Sequence, residues 1–189
     1  FDPIVHTQYA GPEDTLARFE RLADRLAGVT RECVISFMSP YRRQKRAFAE
    51  ARLHWDEPGP QMRLELASAI LAMARERGMS VAACCNPDVA QVGVAQARCI
   101  DAGRLRALGA ALPASIPAAP SRPGCGCCKS TDIGAYDTCP SGCAYCYANS
   151  NPALAQTNHG RHCTDHVALA EAFASPSVQA HEGCLPQEG

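Results

Sequence analysis

The sequence predicts an α/β fold, namely a partial parallel (β/α) barrel followed by a cysteine-rich metal-binding module. Short apolar runs alternate with helical segments in the order strand, helix, strand, helix, strand, and this order implies right-handed crossovers between parallel strands. Six of the 12 cysteines then fall between residues 125 and 151. We therefore expect a half-barrel in residues 1–109, a Pro/Ala linker in 110–124, an iron–sulfur module in 125–151 and a tail in 152–189.

The first strand is predicted at Phe1–His6. A helix follows after Gly11, because the next residue is a proline, which suits the first turn of a helix. Apolar side chains recur at helical spacing until Gly28 supplies the stop: Leu16, Phe19, Leu22, Ala23 and Leu26. The apolar run Cys33–Met38 predicts a second strand of the kind that is buried in parallel sheets.

Pro60 begins a second predicted helix that ends at Gly78, and Ser80–Cys85 predicts the third strand. The inner face of this helix is expected to carry Leu64, Leu66, Ala69, Ile70 and Met73. Ala, Pro and Ser dominate Ala110–Gly124, which predicts an extended linker. In the tail, Val167–Ala174 is expected to form a short helix.

The composition excludes several classes of function. The 189-residue chain is 47% hydrophobic with a formal net charge of -1, so it offers no broad basic surface for nucleic acid. No apolar run reaches the length of a bilayer span, and nothing at the N-terminus resembles a signal peptide. Grouped cysteines without an export signal favour a reducing compartment, where thiols serve metals. We expect a cytoplasmic metalloprotein with no membrane partner.

Cys139-x-x-x-Cys143-x-x-Cys146 is the most informative motif of the chain. Three thiolates this close can wrap one soft metal centre, and a cubane iron–sulfur cluster has four irons to ligate. One iron then lacks a protein ligand, and an open coordination position distinguishes a reactive metal site from a sealed structural one. Zinc, a disulfide framework and buried thiols are the alternatives. Zinc fits less well because its ribbons usually contain C-x2-C pairs.

A second candidate site comprises Cys84, Cys99, Cys125 and Cys127. A C-x-C pair and two cysteines from separate segments can converge on a fully coordinated centre, either a second iron–sulfur cluster or zinc. The alternative is that Cys84 and Cys99 are small buried residues. Three isolated cysteines are interpreted as incidental: Cys33, Cys163 and Cys184.

The motif at Cys139 resembles the signature of the radical S-adenosylmethionine enzymes, including an aromatic residue, Tyr145, just before its last cysteine. In that superfamily the open iron chelates the amino and carboxylate groups of the methionine moiety. The resemblance implies that Tyr145 lies near the adenine of the cofactor.

Further matches run along most of the chain, through Asp2-Pro3-Ile4, Val34-Ile35-Ser36-Phe37, Tyr41, Cys84, Cys99-Ile100-Asp101, Cys125-Gly126-Cys127, Ser130, Asp132-Ile133-Gly134, Tyr136, Thr138-Cys139, Cys143 and Tyr145-Cys146-Tyr147-Ala148-Asn149. On these segments the chain resembles an uncharacterised bacterial radical-SAM-like iron–sulfur family. That family is a domain of unknown function whose cysteine motif is similar to that of spore photoproduct lyase. Its long N-terminal segment has no counterpart here, so we expect a C-terminal fragment.

The resemblance implies an enzyme in which a [4Fe–4S] cluster on Cys139, Cys143 and Cys146 delivers one electron to S-adenosylmethionine. Reductive cleavage would yield methionine and a 5′-deoxyadenosyl radical, which abstracts hydrogen from an unknown small-molecule or macromolecular substrate. The implied electron donor is a flavodoxin or a ferredoxin. The second hypothesis is a non-catalytic zinc or iron–sulfur module that mediates interactions or senses redox state.

Overall fold

The computed structural model describes residues 1–39 and 41–162. The helix predicted at Val167–Ala174 lies outside these residues, as do the thiols of Cys163 and Cys184. Among the described helices, none combines the length and the apolar character that a bilayer crossing requires.

The chain divides into two compact units. The first comprises Phe1–Ser39 and Leu53–Thr131, and the second comprises Pro40–Arg52 and Asp132–Gly189. Residues 110–124, predicted as a linker, and the cysteines at 125–128 both belong to the first unit.

The elements of both units follow one another along the chain as β1 (His6–Thr7), α1 (Pro12–Leu26), β2 (Glu32–Ile35), α2 (Arg42–Glu50), β3 (Trp55–Asp56), α3 (Pro60–Glu76), β4 (Ser80–Ala83), a 3-10 turn (Pro87–Val92), β5 (Ala95–Gln96), α4 (Ala102–Ala107) and α5 (Pro152–Arg161). The second unit contains α2 and α5, and the other elements belong to the first. Sequence analysis missed helices α2 and α5, the 3-10 turn and the short elements β3, β5 and α4.

A parallel sheet in the order β2-β4-β5 lies at the centre of the first unit. Cys33 lies opposite Val81 and Ile35 opposite Ala83, and β5 extends the sheet through the pair Ala82 and Ala95. The mixed α/β class and the parallel pairing of the second and third predicted strands are therefore confirmed. The described residues form no closed barrel.

The first predicted strand is shorter in the structure than its apolar run suggests. Ile4 forms an isolated parallel bridge with Phe37, and its N–H donates to the Ser36 carbonyl at 2.7 Å. The Ile4 carbonyl in turn accepts from the Met38 N–H at 3.1 Å. The chain then turns into β1, which pairs antiparallel with β3 rather than continuing the parallel sheet.

Helix α1 begins at Pro12 as predicted, but its buried stripe is narrower than the sequence pattern. Phe19 and Ala23 are buried, whereas Leu22 and Leu26 are 43% and 37% exposed. Because α1 packs mainly on α3, one narrow face is enough to cover its neighbour.

Helix α3 lies against β4, α1 and the 3-10 turn. Its buried residues are Leu66, Ala67, Ile70, Leu71 and Ala74. Of the predicted inner face, Leu64, Ala69 and Met73 are only half-buried. A helix with neighbours on several sides buries a wider arc than a single stripe. Ala67 and Ala74 are therefore buried, although the sequence pattern did not place them on the inner face. Ile70 is fully buried together with Ile35 and Val89.

Candidate metal centres

Asp137 closes the loop that carries the three-cysteine motif, which we call the cysteine loop (residues 137–151). Its N–H donates to the Ala148 carbonyl at 3.0 Å. Its carboxylate accepts hydrogen bonds from the Ser150 N–H, from the Ser150 hydroxyl at 2.5 Å and from the Asn151 N–H at 2.8 Å. The Ser150 hydroxyl and the two N–H groups hold the pKa of the Asp137 carboxyl below its usual range. An ionised Asp137 thus joins the two ends of the loop.

Helix α5 fastens the same loop from its C-terminal side. Asn151 caps α5, its side-chain oxygen accepting from the N–H groups of Ala153 and Leu154. Farther along α5, the Asn158 amide donates to the Asp137 carbonyl at 2.7 Å, and the Gln156 amide donates to a carbonyl inside the loop at 3.1 Å. The loop is therefore held by one helix at two positions.

The three thiols of the motif lie on this loop with different exposures. Cys139 and Cys143 are exposed, and Cys146 is half-buried. The Cys146 N–H donates to the Cys143 carbonyl at 3.0 Å, which makes a tight turn after Gly142, whose φ is +65°. Glycine adopts such a backbone without strain, so Gly142 suits the bend that leads from the first cysteine into this turn between the second and third.

Two sulfurs of the motif have polar partners. The Cys139 sulfur lies 3.3 Å from the Ser141 hydroxyl, and the hydroxyl and N–H of Ser141 hold the pKa of this thiol below its usual value. The Asn149 N–H donates to the Cys146 sulfur at 3.3 Å. Hydrogen bonds to sulfur favour the thiolate, which is the form that binds metals.

Asn149 links both ends of the motif. Its side-chain amide donates to the Cys139 carbonyl at 2.5 Å, while its own N–H contacts Cys146. Its buried side-chain oxygen has no hydrogen-bond partner among the described residues. Asn149 therefore connects the first and last cysteines of the motif through hydrogen bonds.

Tyr145, the aromatic residue predicted to contact adenine, is 41% exposed. Its carbonyl accepts from the amide of Gln44 at 3.5 Å, and Gln44 is buried at the start of α2, where its side-chain oxygen accepts from the Tyr41 N–H. The backbone at Tyr145 is thus held by α2 while part of its ring faces solvent.

Six cysteines of the first unit, all except Cys33, come from three chain segments that backbone hydrogen bonds hold side by side. The first is the end of β4 at Cys84, whose N–H donates to the Ile35 carbonyl at 2.8 Å. The second begins at Ala97, whose N–H donates to the carbonyl of the last β4 residue at 2.8 Å. The third is attached by the Cys128 N–H, which donates to the Ile100 carbonyl at 3.0 Å.

Residues of the predicted linker pair with the third segment. Ala118 forms an antiparallel bridge with Cys128, and the Ala119 N–H donates to the Cys127 carbonyl at 2.9 Å. A Cβ atom added to Gly124 would lie 3.3 Å from the Cys85 Cα, and the φ of Gly124 is +78°. Close approach and backbone conformation both require glycine there.

Several sulfur contacts follow from this arrangement. The sulfurs of Cys84 and Cys85 are 3.6 Å apart, and the Arg122 guanidinium donates to the Cys84 sulfur at 3.6 Å. The Cys99 thiol interacts with the thiols of Cys84 and Cys127. Cys99 keeps part of its surface exposed, but partial desolvation of its thiol, together with the two neighbouring thiols, raises the pKa of Cys99 to about 11.

The pKa of Cys125 is shifted in the opposite direction. The N–H of Cys127, with the N–H and hydroxyl of Ser121, lowers the pKa of the Cys125 thiol to about 6. The Ser121 hydroxyl lies 3.7 Å from the Cys125 sulfur. A thiol with such a pKa is mostly thiolate at neutral pH, so it is ready to bind a metal or to react.

The structure brings Cys84, Cys99, Cys125 and Cys127 into one neighbourhood of the first unit, linked pairwise through Cys99 and Cys127. It places the other three predicted ligands on one loop of the second unit. All ten cysteines in the described part of the chain are free thiols. Within that part, no three Cys, His, Asp or Glu side chains are already arranged around one metal position.

Sequence analysis missed the residues that hold the two groups in place. Asp137 has no local signature, because its partners Ser150, Asn151 and Asn158 are 13, 14 and 21 residues away. Asn151 did carry a signal, since an asparagine followed by proline is typical of a helix start. Arg122 lies inside the predicted linker and gave no signal of its contact with a cysteine.

Comparison with known families gives a match over most of the chain. A family model described as "Domain of unknown function (DUF1848)" matches residues 1–148. Comparison with curated proteins finds no match, and neither does comparison with solved structures.

Proposed function

The chain belongs to the DUF1848 family, and from this premise we propose that it is an iron–sulfur protein of the radical S-adenosylmethionine type. Cys139, Cys143 and Cys146 would hold a [4Fe–4S] cluster. The proposal is supported mainly by the hydrogen-bonded cysteine loop. Hydrogen bonds through Asp137 and Asn149 fasten a segment whose three thiols have the C-x3-C-x2-C sequence spacing that is typical of such a cluster.

The donor set of the loop fits the group. Three thiols are the protein ligands that iron–sulfur clusters take, and they are the cysteines of the described part of the second unit. The hydroxyl beside Cys139 and the N–H beside Cys146 favour the ionised ligands. With three cysteines for four irons, one iron is left for a cofactor.

The residues of the chain have separate tasks in this proposal. Asp137 and Asn149 position the cysteines, and Asn149 donates a hydrogen bond that tunes the electron density on the Cys146 sulfur. Tyr145 offers a half-exposed aromatic ring next to the last ligand, as a surface for adenine. When bound and reduced, the cluster would supply one electron to the sulfonium of S-adenosylmethionine, so that its C5′–S bond breaks to give methionine and a 5′-deoxyadenosyl radical.

The proposal also concerns the fold around the cluster, the electron donor and the substrate. The parallel sheet of the first unit would be part of a (β/α) barrel, and the 125–151 segment would supply the iron–sulfur chemistry. The electron would come from a flavodoxin or a ferredoxin in a reducing cytoplasm, where thiols remain available for metals. The radical would abstract hydrogen from a substrate that the residues do not identify.

A second candidate function is a non-catalytic zinc or iron–sulfur module that mediates interactions or senses redox state. The exposure of Cys139 and Cys143 favours it. Radical chemistry needs a cavity that excludes competing reactions, whereas an interaction module tolerates ligands at the surface.

The test uses protein purified and reconstituted under anaerobic conditions. Dithionite-reduced protein is examined by electron paramagnetic resonance with and without S-adenosylmethionine, and 5′-deoxyadenosine is assayed in parallel. The proposal expects a cubane signal that changes when S-adenosylmethionine adds two ligands to the open iron, and it expects deoxyadenosine to form.

Cys143→Ala is the test variant and Cys33→Ser the matched control, because Cys33 is a half-buried cysteine in the first unit. The variant should lose the signal and the control should keep it. A cluster signal that S-adenosylmethionine leaves unchanged, with no deoxyadenosine, would support the non-catalytic module instead.

A further inference from the structure

The first unit contains a cysteine group that the proposed function does not use. Its members are Cys84, Cys85, Cys99, Cys125, Cys127 and Cys128. The end of β4, the segment after β5 and the segment before Lys129 supply them, and backbone hydrogen bonds connect all three. Converging thiols from segments distant in sequence are typical of a metal centre rather than of chance packing.

We propose that Cys84, Cys99, Cys125 and Cys127 bind a single zinc ion as a closed tetrathiolate site. This site goes beyond the proposed function, since it shares no residue with the cysteine loop and lies in the other unit. Its role is structural, because four protein ligands leave no open coordination position.

Cys99 is the centre of the ligand set. It interacts with both Cys84 and Cys127, and Cys127 in turn interacts with Cys125. These contacts link each of the four thiols to the next, and Cys128 takes no part in them. In an extended segment, alternate side chains point to opposite sides, so Cys125 and Cys127 share a side that Cys128 does not.

Sulfur spacing favours a single ion over a cubane. Zinc–sulfur bonds of about 2.3 Å in a tetrahedron place the sulfurs roughly 3.8 Å apart. Within the ligand set, the Cys99 thiol interacts directly with the thiols of Cys84 and Cys127, which fits the closer spacing of a single ion. In a cubane each cysteine binds a different iron, so its four sulfurs stand farther apart on the outside of the cluster.

The surroundings of the group suit a dianionic centre. Four thiolates and Zn²⁺ carry a net charge of −2, and the Arg122 guanidinium that contacts the Cys84 sulfur at 3.6 Å offsets part of it. The Ser121 hydroxyl is a second donor, beside Cys125. Binding releases the protons of those ligands that are still thiols.

Glycines permit the third segment to approach. A Cβ atom on Gly126 would lie 3.1 Å from the Gln96 side chain and 3.2 Å from that of Arg98. The Gln96 amide also donates to the Gly124 carbonyl at 3.0 Å. The segment that carries Cys125 and Cys127 therefore packs against β5 and the residues after it.

The experiment uses the full 189-residue chain with the three motif cysteines, Cys139, Cys143 and Cys146, replaced by serine. This background removes the proposed cluster, so the result does not depend on the proposed function. Reduced, metal-free protein is titrated with Co²⁺ and then with Zn²⁺. The expected result is the absorption of a tetrahedral cobalt thiolate at one ion per chain, with release of protons as cobalt binds. Zinc should then displace the cobalt stoichiometrically.

Single variants in this background test the ligand assignment. Cys127→Ser should weaken zinc binding by more than the roughly 100-fold that loss of an outer-shell partner brings, and Cys128→Ser, the matched control, should leave it unchanged. Cys99→Ser should act like Cys127→Ser. Cys99 is exposed, so its replacement should disturb folding less than that of Cys127. If circular dichroism shows that Cys127→Ser fails to fold, Cys99→Ser provides the test instead.

Three outcomes would overturn the proposal. The first is the absence of cobalt–thiolate absorption, and the second is equal loss of binding in Cys127→Ser and Cys128→Ser. The third is the assembly of about four irons with sulfide at this group on anaerobic reconstitution. Loss of zinc in Cys85→Ser but not in Cys125→Ser would overturn the assignment of Cys125 as the fourth ligand.

Discussion

His6 shows how burial and charge compete on one residue. Its side chain is buried, and its Nε2 lies 3.2 Å from the Thr15 hydroxyl. Burial lowers the pKa of His6, and the nearby Asp56 carboxylate only partly opposes that effect. The folded state therefore prefers the neutral ring.

The pH dependence follows from the sign of this shift. Since the folded pKa lies below the unfolded value of about 6.5, the contribution of His6 is complete above that pH. It is lost as pH falls below about 6.5, where the unfolded chain takes up a proton first. We expect His6→Gln to reduce the loss of urea stability between about pH 7.5 and pH 5.5.

His54→Gln serves as the control, because His54 is exposed and its replacement should leave the pH dependence as in the wild type. An identical loss of stability in His6→Gln and the wild type would contradict the assignment to His6.

The cysteines also show how the surroundings of a single residue set its pKa. Cys99 has a pKa raised to about 11 by burial and neighbouring thiols, while N–H and hydroxyl donors lower that of Cys125 to about 6. Residue type alone does not distinguish them. The direction of each shift depends on whether the thiolate meets other sulfurs or hydrogen-bond donors.

At the scale of single elements, packing partners decide which positions of a helix are buried. α1 and α3 both have apolar residues at helical spacing, yet α1 buries a narrow stripe and α3 a wide one. Ile70 of α3 is fully buried, whereas Leu22 of α1 is 43% exposed although the pattern predicted it inside.

This difference predicts the cost of two matched truncations. Ile70→Ala removes a fully buried side chain and is expected to lower the free energy of unfolding by about 2–5 kcal/mol. Leu22→Ala removes a side chain that keeps much of its solvent contact, and it should cost less than about 1 kcal/mol. Urea unfolding followed by circular dichroism measures both. Equal costs would mean that Leu22 lies in the core.

At the scale of the whole molecule, the cysteines divide between two compact units. The four proposed zinc ligands belong to the first unit and the three proposed cluster ligands to the second. Their supporting residues divide in the same way, with Arg122 and Ser121 in one and Asp137 and Asn149 in the other. The two centres are therefore expected to load independently.

Metal analysis of the otherwise unmodified chain tests this independence. Cys143→Ala should remove about four irons and leave the zinc, and Cys127→Ser should remove the zinc and leave the iron. The double variant should show the sum of the two losses. If either single variant stripped both metals, the sites would depend on one another and the division would not describe metal binding.

Parts of this protein were determined by sequence alone. Apolar runs predict two of the strands, and prolines after glycines predict the starts of α1 and α3. The parallel pairing follows from the order of strands and helices along the chain. The motif Cys139-Cys143-Cys146 is also local, because its three thiols lie within eight residues. The motif could therefore be recognised without the fold, and its metal chemistry stays a prediction.

Only the tertiary structure decided which distant residues meet. Residues 110–124 have the composition of a linker, but backbone hydrogen bonds place part of them against the Cys127 segment. The approach of Cys99 to Cys84 and the closing of the cysteine loop by Asp137 depend on contacts between residues 13 to 15 positions apart. Such contacts form because packing and hydrogen bonding repay the entropy of closing a loop, and no periodicity in the sequence records that balance.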